Sequence, residues 1–183
     1  MLYRYVRVSD LARAYVGLGD LSYRPFRRSP KRPERLHKKF LDKLREDIRV
    51  RLLWHNLSIN FYQQRRTGNI IIRGKIDGLE ISESNLVSLV EFKTYTKPSE
   101  KLLRAAKFQL QVYAWILRPV IERKGWTMST LHYLRVVSEK GIEAEFLVPE
   151  NPEIEKEIWS VIAKDDGIVR EIKEDEEDDR SKS

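Results

Sequence analysis

The sequence contains no cysteine. This absence excludes disulfides, thiolate zinc sites, thiol nucleophiles and cysteine-ligated iron–sulfur clusters. Long hydrophobic runs are absent as well, since none approaches the roughly 20 apolar residues that a membrane-spanning helix requires. The first residues, MLYRYVRVSDLARAY, lack the apolar segment of a secretory signal peptide. We therefore expect a cytoplasmic protein with no membrane partner.

Charge is abundant and unevenly distributed. The net charge is +7, but residues 171–183 carry a net −4 and residues 1–56 carry +9. Such a basic surface attracts polyanions, and nucleic acid is the first candidate. Abundant Lys, Arg and Glu without Cys is also typical of a protein from a thermophile, so composition leaves both interpretations open. The length of 183 residues suits one domain, which we place at 1–170, followed by an acidic and flexible tail at 171–183.

Local patterns predict a mixed α/β domain, with the order helix, three strands, helix, two strands, helix. A short helix capped by Ser9 comes first, and a long helix starts near Pro33 with an apolar residue every four positions up to Leu52. The segments LSINFYQQRR, NIIIRGKIDGLEI and LVSLVEFKTY are predicted strands with short connections, which indicates an antiparallel meander.

The second half of the chain continues this alternation. A long helix is predicted from Ser99, and Pro119 is expected to bend or end it. A hairpin around Gly141 follows, and a helix capped by Asn151 closes the domain.

The segment LVSLVEFKTYTK carries the most informative pair of residues. Glu91 and Lys93 are two residues apart on a predicted strand. Because successive side chains of a strand point to opposite faces, these two project from the same face. Most such pairs are exposed ion pairs that contribute little. Asp77, however, lies on the preceding strand in GKIDG, and a meander places it next to Glu91. Two adjacent carboxylates repel each other unless a proton or a cation separates them, so the pair is a candidate binding site for Mg²⁺ or Mn²⁺. The alternative for Asp77 is an ordinary Asp-Gly turn.

Two further features support a site. Gln109 and Tyr113 are four residues apart and share one helix face, where a polar amide needs hydrogen-bond partners. A partly exposed amide beside a core Tyr is the alternative. His37 lies beside the apolar stripe of its helix and is either a boundary residue or a further metal ligand. In such a site Lys93 could hold a metal-bound water or stabilise charge on a phosphate oxygen.

In this order, the helix with His37 and the motifs GKID, EFK and QLQVY resemble the RecB-like branch of the PD-(D/E)XK nuclease superfamily. The resemblance is greatest to the CRISPR-associated exonucleases and spans about residues 33–117. It implies a restriction-endonuclease-like core, with a mixed central sheet flanked by helices. It also implies metal-dependent hydrolysis of phosphodiester bonds in DNA, by an exonuclease or an endonuclease that acts on single strands.

The resemblance also assigns roles to residues. Lys93 would be catalytic, and Gln109 with Tyr113 would contact substrate or order the site. The implied ligands of Mg²⁺ or Mn²⁺ are His37, Asp77, Glu91 and the backbone carbonyl of Phe92. Two departures are visible: Ile76 replaces the usual Pro before Asp77, as in the Gly-x-x-Asp variant of the RecB-like branch, and the four cysteines of iron–sulfur members are absent.

A basic segment with interleaved aromatic residues precedes His37 and suits single-stranded nucleic acid. Its candidate binding residues are Tyr23, Arg24, Arg27, Arg28, Lys31 and Arg32. The alternative is a solvated loop whose arginines pair with Glu or with the acidic tail. The chain could act as a homo-oligomer or with a helicase, CRISPR or repair partner. Two other functions stay open: a non-catalytic DNA-binding or adaptor module, and a restriction or junction-resolving endonuclease.

Overall fold

The computed structural model describes residues 3–19, 21, 51–65, 68–94, 99–138 and 140–164. Seven strands and three helices lie in these ranges. The strands are β1 (Tyr3–Arg7), β2 (Arg51–Arg65), β3 (Gly68–Ile81), β4 (Leu86–Lys93), β5 (Thr127–Met128), β6 (Leu131–Ser138) and β7 (Gly141–Pro149). The helices are α1 (Val8–Tyr15), α2 (Glu100–Arg123) and α3 (154–164).

The strands form one mixed sheet in the order β1-β3-β4-β6-β7, with β2 paired to β3 and β5 paired to β4. The predicted antiparallel meander is confirmed, because β2 pairs with β3 and β3 with β4 in antiparallel register. The β6–β7 hairpin is also antiparallel, whereas β4 and β6 are parallel. Parallel neighbours need a long crossover, and α2 lies in that connection. The expected mixed α/β architecture is therefore confirmed.

Strand β3 has an interrupted edge. β2 pairs with β3 from Gly68 to Ile81 and so takes one of its two edges. The other edge is shared, since β1 pairs with residues 69–73 and β4 with residues 78–81. Residues 74–77 lie between these two partners, at a gap in the sheet that contains the GKID motif.

The main apolar core lies where α1, α2 and α3 pack with the sheet. Tyr15 of α1 stacks on Phe108 of α2 with ring centroids 3.9 Å apart, and Trp115 of α2 meets Trp159 of α3 edge-on. Such aromatic pairs stabilise a core beyond the area that they bury. Other fully buried members come from α1, the strands, α2 and α3: Leu11, Ile72, Ile76, Leu79, Leu89, Leu110, Leu134 and Ile158.

Helix α2 continues through Pro119 to Arg123, so the prediction that Pro119 ends it is wrong. Proline removes one backbone hydrogen bond, but tertiary packing can offset that loss. Ile121 is completely buried on the last turn, and Arg123 Nε donates to the Pro119 carbonyl at 3.0 Å. The side chain of Ser99 caps the start of α2, as its position predicts.

Three other boundaries differ from the sequence prediction. Residues 51–54 begin strand β2 instead of ending a helix, because they pair with the far end of β3. Strand β1 was not predicted, since the alternation of its five residues breaks at Val6 and the strand depends on parallel pairing with β3. Helix α1 starts at Val8, with Arg7 as its N-cap residue, so Ser9 lies inside the first turn.

Several predictions concern residues outside the described ranges. These are the helix between residues 33 and 50, the acidic tail at 171–183, the ligand candidate His37 and the basic candidates Tyr23, Arg24, Arg27, Arg28, Lys31 and Arg32. Within the described ranges, no helix has the length and apolar character that crossing a membrane requires.

Candidate active site

Asp77 lies at the gap in the edge of β3. The paired register with β4 stops at Gly78 and Val90, and the Asp77 carboxylate then accepts the Phe92 backbone N–H through Oδ2 at 2.8 Å. The side chain is buried, with only 9% of its residue surface exposed. Burial raises the pKa of Asp77 above its ordinary value, while Lys93, the Phe92 N–H and Lys75 oppose that shift. Asp77 is thus part of the junction between β3 and β4 and not an exposed turn residue.

Glu91, Lys93 and Gln109 form a closed hydrogen-bonded triangle. Lys93 Nζ donates to Glu91 Oε1 at 2.6 Å and to Gln109 Oε1 at 3.1 Å. Gln109 Nε2 donates to the same Glu91 oxygen at 2.7 Å. The amide therefore turns its oxygen towards the ammonium and its nitrogen towards the carboxylate, which is the orientation that the two charges favour. Glu91 is only 2% exposed, so these bonds act in a water-poor environment.

This triangle differs from one detail of the sequence interpretation. From the sequence we expected Glu91 to face a metal and Lys93 to face a water or phosphate. In the structure Lys93 donates directly to Glu91, and Gln109 contacts both. Alternation along β4 correctly placed Glu91 and Lys93 on one face, but it could not show which helix side chain joins them.

Tyr113 fills the gap in the sheet. Its hydroxyl donates to the Lys75 carbonyl at 3.1 Å and accepts from the Lys75 N–H at 3.3 Å and from Gln109 Nε2 at 3.2 Å. A phenol has one donor and two acceptor sites, and all three are used. Burial, followed by the charge of Glu91, raises the pKa of Tyr113 well above its ordinary value. The hydroxyl therefore stays protonated. It makes the hydrogen bonds with the Lys75 N–H and carbonyl that a neighbouring strand would otherwise make.

Gly74 makes room for this arrangement. A Cβ built on Gly74 would lie 2.4 Å from Tyr113 Cε1 and 2.9 Å from Val8 Cγ2. Tyr113 is fully buried, so its ring has little room to move away. From the sequence, Gly74 was only the first letter of a Gly-x-x-Asp motif. Its steric role depends on a helix residue far along the chain.

Arg135, on β6, is a buried charged residue that is not among the residues predicted from the sequence. Its Nη1 donates to Glu80 Oε1 at 2.7 Å and its Nε to Glu145 Oε2 at 2.5 Å. Burial disfavours the charge of Arg135, but the two carboxylates outweigh that effect and raise its pKa. Arg135 is also the register partner of Phe92. The ion pairs therefore link β3 and β7 through Arg135 of β6. In the sequence, only the alternating polar residues of LRVVSE and IEAEF indicate these ion pairs.

The donor atoms near Asp77 suit a hard divalent cation. Asp77 and Glu91 bring two buried carboxylates to adjacent strands, and Phe92 lies between Glu91 and Lys93. Carboxylate and carbonyl oxygens are the ligands that Mg²⁺ and Mn²⁺ prefer. A carboxylate can bond the protein through one oxygen and a cation through the other. In the part of the chain that the structure describes, no group of three His, Asp or Glu side chains completes a metal site.

Comparisons with known proteins agree with this geometry. A family model of the PD-(D/E)XK nuclease superfamily matches residues 7–182, whereas no curated protein sequence matches the chain. The crystal structure of SSO0001 is similar, with a TM-score of 0.61, 15% identity and coverage of 90% of this chain and 76% of that chain. The structure of LHK-Exo in complex with dAMP has a TM-score of 0.54 and 12% identity, with coverage of 94% and 93%.

At these identities the two structures show the fold alone. The family match confirms the expected restriction-endonuclease-like core, with a mixed sheet flanked by helices. The family match extends over nearly the whole chain and includes Asp77, Glu91, Lys93 and the helix that carries Gln109. The chain belongs to the PD-(D/E)XK nuclease superfamily, whose members are generally hydrolytic nucleases that use divalent metals.

Proposed function

We propose that this protein is a metal-dependent deoxyribonuclease that hydrolyses phosphodiester bonds in single-stranded DNA. One observation carries the proposal. At the gap in β3, the buried Asp77 lies next to the triangle of Glu91, Lys93 and Gln109. Two carboxylates and an ammonium in a water-poor site are costly for stability, and such groups cluster where catalysis needs them.

In this proposal Asp77, Glu91 and the Phe92 carbonyl hold Mg²⁺ or Mn²⁺, with His37 as a further ligand from outside the described residues. When bound, the metal supplies positive charge for a phosphate oxygen and lowers the pKa of water. A cation also relieves the repulsion between the two carboxylates and offsets the burial that raises the pKa of Asp77. No cysteine is present to bind an iron–sulfur cluster.

Lys93 is the proposed catalytic lysine. Its ammonium holds the attacking water or stabilises the negative charge that develops on the scissile phosphate. Gln109 binds both Lys93 and Glu91 and so sets the separation of the two groups. Tyr113 fixes the Gln109 amide in turn, and through Lys75 it connects the amide to the strand of Asp77. Gln109 and Tyr113 therefore act as positioning residues.

We further assign the protein to the RecB-like branch, near the CRISPR-associated exonucleases and without their cluster. The Gly74-x-x-Asp77 motif and the contact of Gln109 with Tyr113 support this finer assignment. The same proposal includes a single nuclease domain at 1–170, located in the cytoplasm. In this proposal the domain acts as a homo-oligomer or with a helicase, CRISPR or repair partner.

A cleavage assay tests the function directly. Single- and double-stranded DNA, labelled at either end, is incubated with Mg²⁺, with Mn²⁺ or with EDTA. We expect metal-dependent cleavage that is faster on single strands, and the two labels separate exonuclease from endonuclease products. Asp77→Ala, Glu91→Ala and Lys93→Ala should abolish cleavage while circular dichroism shows an intact fold. Equal cleavage in EDTA contradicts the proposal, and salt-sensitive DNA binding without cleavage in any metal indicates a binding module.

A further inference from the structure

An exposed group of aromatic and basic side chains lies on β1, β2 and β3. In the sheet register, Tyr5 and Tyr62 flank Ile71, and Arg7 and Asn60 flank Arg73. Two residues further along β3 comes Lys75, and two further comes Asp77. Arg73 and Lys75 therefore lie on the side of β3 opposite to Gly74, which faces Tyr113, and their rows lead to the gap in the sheet at Asp77. We call these six residues the tyrosine–arginine strip: Tyr5, Arg7, Asn60, Tyr62, Arg73 and Lys75.

The two tyrosines of the strip are unusually exposed for large aromatic residues. Tyr5 is 49% exposed and Tyr62 is 52% exposed. Their places in the register, on either side of Ile71, put two aromatic rings in one row across three strands. Exposed apolar surface in one place is a mark of a binding site. An aromatic ring is also a platform on which any nucleic-acid base can stack.

Arg73 connects the aromatic row to the basic one. Its guanidinium carbon lies 5.3 Å from the centroid of the Tyr5 ring, and its Nε donates to Asn60 Oδ1 at 2.9 Å. These two contacts hold the guanidinium at the surface between β1 and β2. A guanidinium has five N–H donors, so donors remain for a phosphate oxygen after the bond to Asn60.

The basic charge of the strip continues to the gap in the sheet at Asp77. Lys75 is exposed and lies two residues before Asp77 on β3. Arg7, Arg73 and Lys75 therefore place three cations along the route from the tyrosines to Asp77. From Ile71 to Asp77 the strand rises about 20 Å at about 3.3 Å per residue, which is long enough for several nucleotides.

We propose that the tyrosine–arginine strip binds a single-stranded segment of nucleic acid and directs it to the gap in the sheet at Asp77. The proposal rests on the function proposed above and adds the surface that receives the substrate. Cations along the path contact phosphates, and the tyrosines stack on unpaired bases. In a duplex the bases already stack on each other, so the tyrosines would add little there. The strip therefore predicts a preference for single strands.

Binding in EDTA tests the strip without any need for cleavage. The probe is fluorescein-labelled oligothymidine of about 16 nucleotides, the upper end of the site sizes of sheet-based single-strand binders. Tyr5→Ala and Tyr62→Ala should each weaken binding about 5- to 150-fold, the equivalent of the ~1–3 kcal/mol that one stacked base contributes. Tyr5→Phe and Tyr62→Phe keep the ring and should bind like the unmodified protein. Arg73→Gln should reduce the slope of log K against log salt by about 0.7.

Two variants elsewhere on the surface are the matched controls. Leu147→Ala removes an apolar side chain that is 56% exposed on β7, and Lys156→Gln removes an exposed charge on α3. Both should bind oligothymidine unchanged. Photo-crosslinking of the unmodified protein to an oligonucleotide with 5-iodouracil should label Tyr5 or Tyr62, as mapped by mass spectrometry. This readout does not depend on the folding of any variant.

The outcomes separate the two proposals. If Tyr5→Ala and Tyr62→Ala bind like Leu147→Ala and no crosslink maps to either tyrosine, the strip is wrong, even where cleavage proves the nuclease. If the strip binds oligothymidine but no metal supports cleavage, the nuclease is wrong and the strip stands. Equal losses of binding for duplex and single strand would contradict base stacking. A change from dimer to monomer in Tyr62→Ala, with oligothymidine binding intact, would show that a second copy of this chain occupies the strip.

Discussion

The ring of Tyr113 occupies the space next to Gly74 that a side chain at residue 74 would need. A Cβ at that position would lie 2.4 Å from Tyr113 Cε1. The same tyrosine donates to the Lys75 carbonyl and accepts from the Gln109 amide. A glycine on β3 and a tyrosine on α2 together therefore determine where Gln109, and through it Glu91, is held.

Gly74→Ala should reduce both stability and activity, because the added methyl pushes the Tyr113 ring away from Lys75 and Gln109. We expect a loss of about 1–3 kcal/mol in the free energy of unfolding, measured in urea, as for other overpacked sites. In a double-mutant cycle with Tyr113→Ala, the added methyl should cost much less once the ring is gone. Additive losses in that cycle would show that the two residues are not in steric conflict.

Gln109→Glu should impair catalysis more than folding. The change is nearly isosteric, but it places a second carboxylate at the 2.7 Å contact with Glu91. We expect the cleavage rate to fall about 10- to 100-fold, as for other residues that position metal ligands. Gln111→Glu is the control, because Gln111 lies on the exposed side of α2 and donates to the Pro149 carbonyl. Equal cleavage rates for the two variants would show that Gln109 does not position Glu91 and Lys93 for catalysis.

Asp77→Asn should increase the stability of the metal-free protein while abolishing activity. Burial raises the folded-state pKa of Asp77 above its ordinary 3.8, so the folded state binds more protons than the unfolded state just above that pH. Stability is therefore lost as the pH rises through this window, and a neutral amide avoids the loss. We expect a higher Tm for Asp77→Asn in EDTA at pH 7. Mg²⁺ should raise the Tm of the unmodified protein but not of the variant, and an equal rise in both would contradict the metal site.

His132 should make folding sensitive to acid. Burial, followed by the charge of Arg118, lowers its pKa to about 4, and its Nδ1 accepts the Leu89 N–H at 3.3 Å. Between pH 4 and 6.5 the unfolded state binds the proton that the folded state excludes, so stability falls as the pH drops. This contribution amounts to about 3 kcal/mol at 1.36 kcal/mol per pKa unit.

The pH dependence of urea unfolding measures this effect, with His132→Gln as the comparison. The difference in unfolding free energy between the two proteins should shrink by that amount from pH 6.5 to pH 4. A difference that stays constant over this range would show that His132 does not titrate on unfolding.

Much of the site follows from periodicity along the chain. Alternation on a strand places Glu91 and Lys93 on one face, and the helical repeat places Gln109 below Tyr113. Short connections define the meander that brings Asp77 beside β4. These relations need only residues that are near each other in sequence or joined by a tight turn. The sequence by itself therefore determined the fold class and the pairing of the two central strands.

The tertiary structure decided the contacts between distant segments. Parallel pairing of β1 with β3 leaves residues 74–77 between two strands, and no local pattern in YRYVR predicts it. That gap admits the Tyr113 hydroxyl and explains why position 74 is glycine. The pairing of β1 and β2 with β3 also places Tyr5 and Tyr62 in one exposed row. Local periodicity says which side of an element a residue occupies, but only packing determines which residue lies opposite.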